Sequence, residues 1–304
     1  MSVAPSGEQY EISAAGYRAV ITESGAALRV LEHDGRPLIA GFAEDAIADS
    51  GRGQVLMPWP NRIRDGRYAV DGVELQLPLT EPSRSNASHG LARWVAWTLE
   101  EHTARTVSLR YRCMAQTGYP WALDLVVVYD LSADGLTVTQ SATNLADSPA
   151  PYASGAHPYL TVDHRLVDEL ELLVPASTRY VLDERLLPIG REALDGGPLD
   201  FRVPRPIRDL TVDVAVTDLD RDAEGRVVVE LRAPEDGRGV ALWADDAHPV
   251  LQLYTAPGPG AGLRRSLAVE PMTAPADAFN SGEHLVMLEP GAEHHVTWGI
   301  RALG

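Results

Sequence analysis

The sequence predicts an all-β protein in which one large, mostly antiparallel domain spans residues 1–304. Short runs of alternating apolar and polar residues recur about every 8–12 residues, and Asp-Gly or Ser-Gly pairs separate them. No window longer than about ten residues keeps the period of a helix. Regularly spaced strands joined by tight turns are typical of β-sandwiches and β-barrels.

The predicted turns divide the chain into hairpins. Each turn lies between two apolar-alternating runs, and the turns fall at Ser24-Gly25, Asp34-Gly35, Asp71-Gly72, Asp134-Gly135 and Asp236-Gly237. The segment HHVTWGI at 294–300 predicts a closing strand, and TAPGPGAGLRRS at 255–266 predicts a loop at one end of a sheet.

The charge of the chain excludes several classes of function. There are 26 basic residues, all of them arginine, against 43 acidic residues, and the net charge is −17. This balance disfavours nucleic acids, anionic membranes and polyanions as partners, because long-range repulsion slows their approach. Without lysine, the chain cannot form a Schiff base, anchor pyridoxal phosphate or complete a phosphate-loop motif.

Cysteine, histidine and the N-terminus are informative mainly about what the protein lacks. Cys113 is the single cysteine, so no intrachain disulfide forms, and its strand context predicts an inert thiol. The nine histidines include no His-x-His or His-Glu-x-x-His spacing, and no Gly-x-Ser-x-Gly is present. The sequence shows no signal peptide and no apolar run long enough to span a membrane, so we expect a cytoplasmic protein. We also expect a monomer or homodimer that needs no metal or cofactor.

Four segments carry polar residues that strand patterning does not require. They hold Asn61 and Arg62 in MPWPNRIRDGRY, His89 in SNASHGLARW, His157 in SGAHPYLTV, and Glu270 in LAVEPMTAPADAFNSGEHLVMLEPG. Glu270 precedes a proline and is expected at the end of a buried strand. Each signal is weak alone, because single loop histidines and strand-end glutamates are usually structural.

In this order, the segments NRI, His-Gly, HPY, EPMT, AFN-x-G and L-x-P-G resemble the aldose 1-epimerase (galactose mutarotase) family, from about Gln54 to the C-terminus. The resemblance implies a large, mostly antiparallel β-sandwich, the supersandwich of that family. It also implies interconversion of the α and β anomers of free hexoses such as glucose or galactose, with a small sugar as the only ligand and no cofactor.

The resemblance also implies roles for individual residues. His157 would be the general acid and Glu270 the general base, placed on opposite sides of the C1–O5 unit of the sugar. His89 would lie near the ring as a supporting or alternative acid. Asn61 and Arg62 would contact sugar hydroxyls, and Arg62 would hold two vicinal hydroxyls or orient Glu270.

Two further binding residues follow from the resemblance. Gln252 in LQLYTA matches a pocket glutamine. Asp213 in TVDVAVTDL matches a substrate-binding aspartate, although Val216 stands where the family has an aromatic residue, and Asp218 is a second candidate. In HPYL, Leu160 replaces the phenylalanine often found there.

Three aromatic residues lie beside the motifs and are either sugar platforms or core residues: Trp59, Trp94 and Tyr159. Three other functions stay open: a hexose-6-phosphate 1-epimerase, a non-catalytic sugar-binding protein, and a glycoside hydrolase with a second carboxylate near Glu270. The net charge and the lack of a basic cluster beyond Arg264-Arg265 disfavour a phosphorylated substrate.

Overall fold

The computed structural model describes residues 3–255 and 264–304, so most of the loop predicted at 255–266 lies outside the described residues. The strands are β1 (Gln9–Ala14), β2 (Tyr17–Thr22), β3 (Leu28–His33), β4 (Arg36–Pro37), β5 (Val55–Leu56), β6 (Arg62–Arg64), β7 (Arg67–Val70), β8 (Val73–Gln76), β9 (Asn86–Ser88), β10 (Thr98–His102), β11 (Thr106–Cys113), β12 (Leu123–Ser132), β13 (Gly135–Asn144), β14 (Ala150–Tyr152), β15 (Gly155–Ala156), β16 (Tyr159–Leu160), β17 (Glu171–Leu173), β18 (Ala176–Leu182), β19 (Pro188–Ala193), β20 (Arg205–Pro206), β21 (Asp213–Leu219), β22 (Val227–Arg232), β23 (Gly239–Ala244), β24 (Val250–Tyr254), β25 (Leu267–Met272), β26 (Val286–Leu288) and β27 (Glu293–Leu303). Helical structure in this part of the chain is limited to α1 (Ala278–Ser281) and the 3₁₀ turns Pro82–Arg84 and Val167–Glu169.

Two large sheets form the body of the protein. One has nine strands in the order β10-β11-β12-β13-β27-β23-β22-β17-β20, and the other has eight, β19-β18-β21-β24-β25-β15-β5 with β16 also paired to β25. Strands β1 to β4 form a third sheet, and β6–β9, β7–β8 and β14–β26 are two-stranded. Every strand pair in the described residues is antiparallel. The all-β, antiparallel prediction is confirmed.

The predicted turns at Asp34-Gly35 and Asp71-Gly72 form hairpins because their residues adopt the required backbone angles. Asp34 and Asp71 have φ of 49° and 50°, and the glycines that follow have φ of 74° and 79°. Two successive left-handed residues match the twist of a two-residue hairpin, and aspartate followed by glycine is a common way to supply them. The turns accordingly join β3 to β4 and β7 to β8.

The core lies between the nine-stranded and eight-stranded sheets. Leu125, Val127 and Tyr129 of β12 are fully buried and alternate with partly exposed residues. Their apolar cluster extends to Leu251 of β24 and Val269 of β25 in the opposite sheet. Each fully buried side chain of this size stabilises the fold by about 1.5–3 kcal/mol.

The eight-stranded sheet uses its second face for polar residues. Because side chains alternate between the faces of a strand, the neighbours of the core residues Leu251 and Val269 point away from the core. Those neighbours include Gln252 and Glu270, which stand directly opposite each other on β24 and β25. Among the described residues, no helix combines the length and the apolar character needed to cross a membrane.

Candidate active site

A polar pocket of about 400 Å³ opens over the outer face of the eight-stranded sheet. This volume is within the usual range for a small-molecule site. The pocket is lined by the seven leading candidates from the sequence: Asn61, Arg62, His89, His157, Asp213, Gln252 and Glu270. Residues up to 209 positions apart in the chain therefore meet at one cavity.

The strand register places three of these residues. Gln252 is directly opposite Glu270, and Asp213 opens β21, diagonally across from Gln252. The Gln252 Nε2 group donates to Asp213 Oδ1 at 2.8 Å, and Asn61 Nδ2 donates to Gln252 Oε1 at 3.4 Å. Asp218, the second candidate, lies five positions after Asp213, so it falls on the other face of the strand, and it does not line the pocket.

The prediction that Glu270 ends a strand is wrong, because β25 continues through Pro271 to Met272. Pro271, which has no N–H to donate, is tolerated because strand pairing is interrupted on the side of β25 that faces β15 and β16. The strand β15 ends at Ala156 and β16 begins only at Tyr159, so His157 and Pro158 lie beside this part of β25. The same interruption brings the His157 ring next to Glu270.

His157 and Glu270 form a buried pair. His157 Nε2 lies 3.3 Å from Glu270 Oε1, and only 7% and 4% of the two side chains are exposed. Direct contact differs from the expected placement on opposite sides of a sugar. The ring of His157 also stacks on Tyr159 at a centroid distance of 5.0 Å, and Arg52 covers the Tyr159 ring. The imidazole is therefore held in one orientation.

Burial keeps this pair uncharged at neutral pH. Burial raises the pKa of Glu270 to about 8, and the negative charge of Asp213 adds to this effect. Burial lowers the pKa of His157 to about 3, and the positive charge of Arg93 adds to that effect. Both shifts favour the neutral partners, so the pair holds one transferable proton between Oε1 and Nε2.

Glu270 Oε2 and His157 Nδ1 are buried and have no hydrogen-bond partner among the described residues. Each such atom costs about 1–3 kcal/mol unless something satisfies it. Unsatisfied buried polar atoms that line a pocket indicate a binding or catalytic site.

His89 has a defined proton position. The Asn61 N–H donates to His89 Nδ1 at 3.2 Å, and the His89 N–H donates to the Asn61 carbonyl at 2.8 Å. Both residues adopt left-handed backbone angles on either side of the β6–β9 pair. Because Nδ1 accepts a hydrogen bond, the ring proton must be on Nε2. Burial also lowers the pKa of His89 well below its usual value, so His89 is a neutral N–H donor.

Arg62 is oriented by a residue that the sequence analysis missed. Its Nε and Nη2 donate to the two carboxylate oxygens of Glu81 at 2.7 and 3.0 Å, and its Nη1 donates to Asn61 Oδ1 at 3.2 Å. Glu81 also accepts from Arg84 and Asn86. The only sequence signal for Glu81 was its loop position between the Asn61-Arg62 and His89 segments.

The candidate aromatic platforms divide into two groups. Trp94, which is 56% exposed, and Tyr159 both line the pocket. Trp59 is 3% exposed and packs edge-on against Phe279, so it is a core residue. Within residues 3–255 and 264–304, no three His, Cys, Asp or Glu side chains are grouped as metal ligands would be.

The family model for aldose 1-epimerase matches residues 8–301, and the chain belongs to that family. The chain is 35% identical over 297 residues to the YihR protein of Escherichia coli K12, covering 97% of this chain and 93% of YihR. It is 30% identical over 191 residues to galactose mutarotase of Rattus norvegicus, covering 59% and 54% of the two chains.

Solved structures share the fold. An aldose epimerase homologue from C. elegans superposes with a TM-score of 0.84 at 20% identity, covering 98% of this chain and 99% of that one. Galactose 1-epimerase from Lactobacillus acidophilus gives a TM-score of 0.78 at 18% identity, covering 95% and 92%. The predicted galactose mutarotase-like β-sandwich is confirmed.

Proposed function

We propose that this protein is an aldose 1-epimerase that interconverts the α and β anomers of a free hexose by opening and reclosing the sugar ring. The observation that supports this most strongly is the buried contact between His157 and Glu270 at a polar, sugar-sized pocket. A protein that only binds sugar has no need for a proton donor and acceptor at such a distance.

The reaction needs one proton removed and one supplied. The anomeric oxygen O1 loses its proton, the ring oxygen O5 gains one, and the C1–O5 bond breaks to give an aldehyde. Rotation about C1–C2 and reclosure produce the other anomer. Because O1 and O5 are both bonded to C1, an acid and a base that touch each other can serve the two oxygens from the same side.

The proton held between His157 and Glu270 suits this sequence of steps. When it moves from Oε1 to Nε2, the pair becomes a carboxylate and an imidazolium. Glu270 then takes the O1 proton while His157 gives its proton to O5, and the pair ends with the number of protons with which it began. Reclosure reverses both transfers. General acid and general base catalysis are each worth about 10²- to 10⁴-fold.

The remaining polar residues would bind the hydroxyls of the sugar. Arg62 is held rigid by Glu81 and presents a planar donor. Asp213 and Gln252 offer an acceptor and an amide on the same face of the sheet as Glu270. The Nε2–H of His89 supplies a neutral donor beside His157, whose ring centroid is 5.5 Å away.

Polarimetry of freshly dissolved α-glucose and α-galactose tests the proposal. Hexose 6-phosphates are included in the comparison. We expect the protein to accelerate the decay of optical rotation, also after exhaustive treatment with a chelator. Glu270→Gln is the matched control, because it keeps the side-chain size and removes the base. Absence of acceleration with every hexose tested would contradict the proposal. Sugar binding without turnover would instead support a binding protein.

A further inference from the structure

Arg52 is a buried arginine that lies next to the acid–base pair but outside the pocket. Only 4% of Arg52 is exposed, and the residue is not part of the pocket lining. Its guanidinium lies 4.3 Å from the centre of the Tyr159 ring. The Tyr159 ring in turn stacks on the His157 imidazole with an angle of 12° between the two planes. The three side chains therefore form one stack, which ends at the proposed acid.

The outer part of this stack is fixed by hydrogen bonds. Arg52 Nη1 donates to the Ala40 carbonyl at 2.8 Å, and Arg52 Nε donates to Asp49 Oδ1 at 3.0 Å. The Tyr159 hydroxyl donates to the Ser50 carbonyl at 3.1 Å. The contact between a guanidinium and an aromatic ring is stronger where water is excluded, so the buried Arg52 restrains the Tyr159 ring.

The segment 49–54 also holds the backbone and the ring of His157. The Gly53 N–H donates to the His157 carbonyl at 2.9 Å, and the His157 N–H donates to the Gln54 carbonyl at 3.1 Å. Gly51 packs against the ring itself, because a Cβ at this position would lie only 2.8 Å from His157 Cδ2. One segment, which contributes neither the proposed acid nor the proposed base, therefore restrains His157 at several points.

Restraint matters here because the surroundings of His157 oppose the charge that it must carry. In the proposed reaction, His157 Nε2 receives the proton from Glu270 and passes it to O5, so the imidazole is briefly a cation. Burial and the positive charges of Arg93, Arg52 and Arg62 all disfavour that cation and lower the pKa of His157. An imidazolium that can turn away from these charges leaves the position from which it reaches O5.

We propose that Arg52 is a positioning residue for the general acid, which acts through the Tyr159 ring to hold His157 Nε2 where it can reach both Glu270 and O5. The proposal rests on the proposed anomer interconversion. Because Arg52 does not line the pocket, its loss should reduce turnover and leave sugar binding largely unchanged. An arginine that only stabilised the fold would change neither kcat nor KM of the protein that remains folded.

The first experiment measures kcat and KM by stopped-flow polarimetry with the hexose that wild type converts best, normalised to the folded fraction. In Arg52→Gln, kcat should fall about 10- to 100-fold, the cost of a misplaced catalytic group, while KM changes less than about threefold. Arg52→Lys can still place a cation over the ring, so part of the lost kcat should return. Arg265→Gln is the matched control: Arg265 is exposed and borders a second cavity beside Arg52, outside the pocket, so both constants should stay unchanged.

Two further variants test the route through the ring. Tyr159→Leu removes the ring between Arg52 and His157, so adding Arg52→Gln to it should lower kcat no further. If Arg52→Gln costs as much without the ring as with it, the proposed route is wrong. Gly51→Ala approaches the imidazole from a different side and changes no charge, and its methyl group should displace the ring and lower kcat. Unchanged kcat in Gly51→Ala would show that the ring position is not critical, which also overturns the proposal.

The outcomes distinguish this proposal from the proposed function. If kcat is unchanged in Arg52→Gln, or if KM rises as much as kcat falls, the role of Arg52 is wrong and the epimerase proposal stands. If wild type converts no hexose, the epimerase proposal is wrong, and NMR of the histidine ring nitrogens then decides on Arg52 alone. The His157 signals, identified by their absence in His157→Gln, should shift and broaden in Arg52→Gln but not in Arg265→Gln. Unchanged His157 signals in Arg52→Gln would overturn its role.

Discussion

Raising the pH above 8 should slow anomer interconversion if His157 and Glu270 act as one acid–base pair. The pair is active only while it holds its transferable proton, because the acid is lost with that proton. Burial and the charge of Asp213 raise the pKa of Glu270 to about 8, so the proton leaves the pair near this pH. We therefore expect kcat/KM to fall tenfold per pH unit above 8, to about 1% of its maximum at pH 10.

Stopped-flow polarimetry between pH 6 and 10 measures this fall in kcat/KM. The spontaneous rate is subtracted at each pH. Asp213→Asn is the companion variant. It removes a negative charge that raises the pKa of Glu270, so kcat/KM should begin to fall at a lower pH. Sugar binding should also weaken. A rate that rises through pH 8 would refute the reasoning. It would mean that Glu270 works as a free carboxylate and that another group, such as His89, is the acid.

Five other variants and one pH measurement test the remaining assignments. Glu270→Gln should lower kcat about 100-fold or more and change sugar binding by less than about tenfold, and near wild-type turnover would remove the proposed base. His157→Gln should lower kcat more than His89→Gln does, and the reverse order would exchange their roles. Glu81→Gln should raise KM more than it lowers kcat, since it frees Arg62 to move; an unchanged KM would argue against this role. Leu242→Ala, in the core away from the pocket, should reduce the free energy of unfolding by about 2–5 kcal/mol while the remaining folded protein keeps its turnover. Folding raises the pKa of Glu270 from 4.5 to about 8, so the folded state holds this proton more tightly than the unfolded state does. The free energy of unfolding should therefore fall between about pH 6.5 and 8, whereas below pH 6.5 the lowered pKa of His157 acts in the opposite direction. Chemical denaturation of Glu270→Gln should show no such fall.

The sequence alone predicted the architecture and the candidate residues because both depend on local chemistry. The pair Asp71-Gly72 marks a hairpin, since these two residues adopt the left-handed angles that the turn requires. Alternation along β12 predicted a strand with one buried face, as the structure shows. The ordered motifs around His89, His157 and Glu270 indicated the family, because each is a short local string.

Only the tertiary structure decided how these residues meet. The sequence predicted that Glu270 lies at the end of its strand. In the structure β25 continues past Glu270, and the gap between β15 and β16 in the neighbouring ladder brings His157 against the carboxylate. Glu81 carried no signal beyond its loop position, because a charged residue in a loop usually lies in solvent. Whether such a residue finds a partner depends on strands that are distant in the chain. Arg62 meets Glu81 because the pairing of β6 with β9 and the bridge between Glu81 and Asn86 bring the two side chains together, and no local pattern in the sequence encodes that pairing.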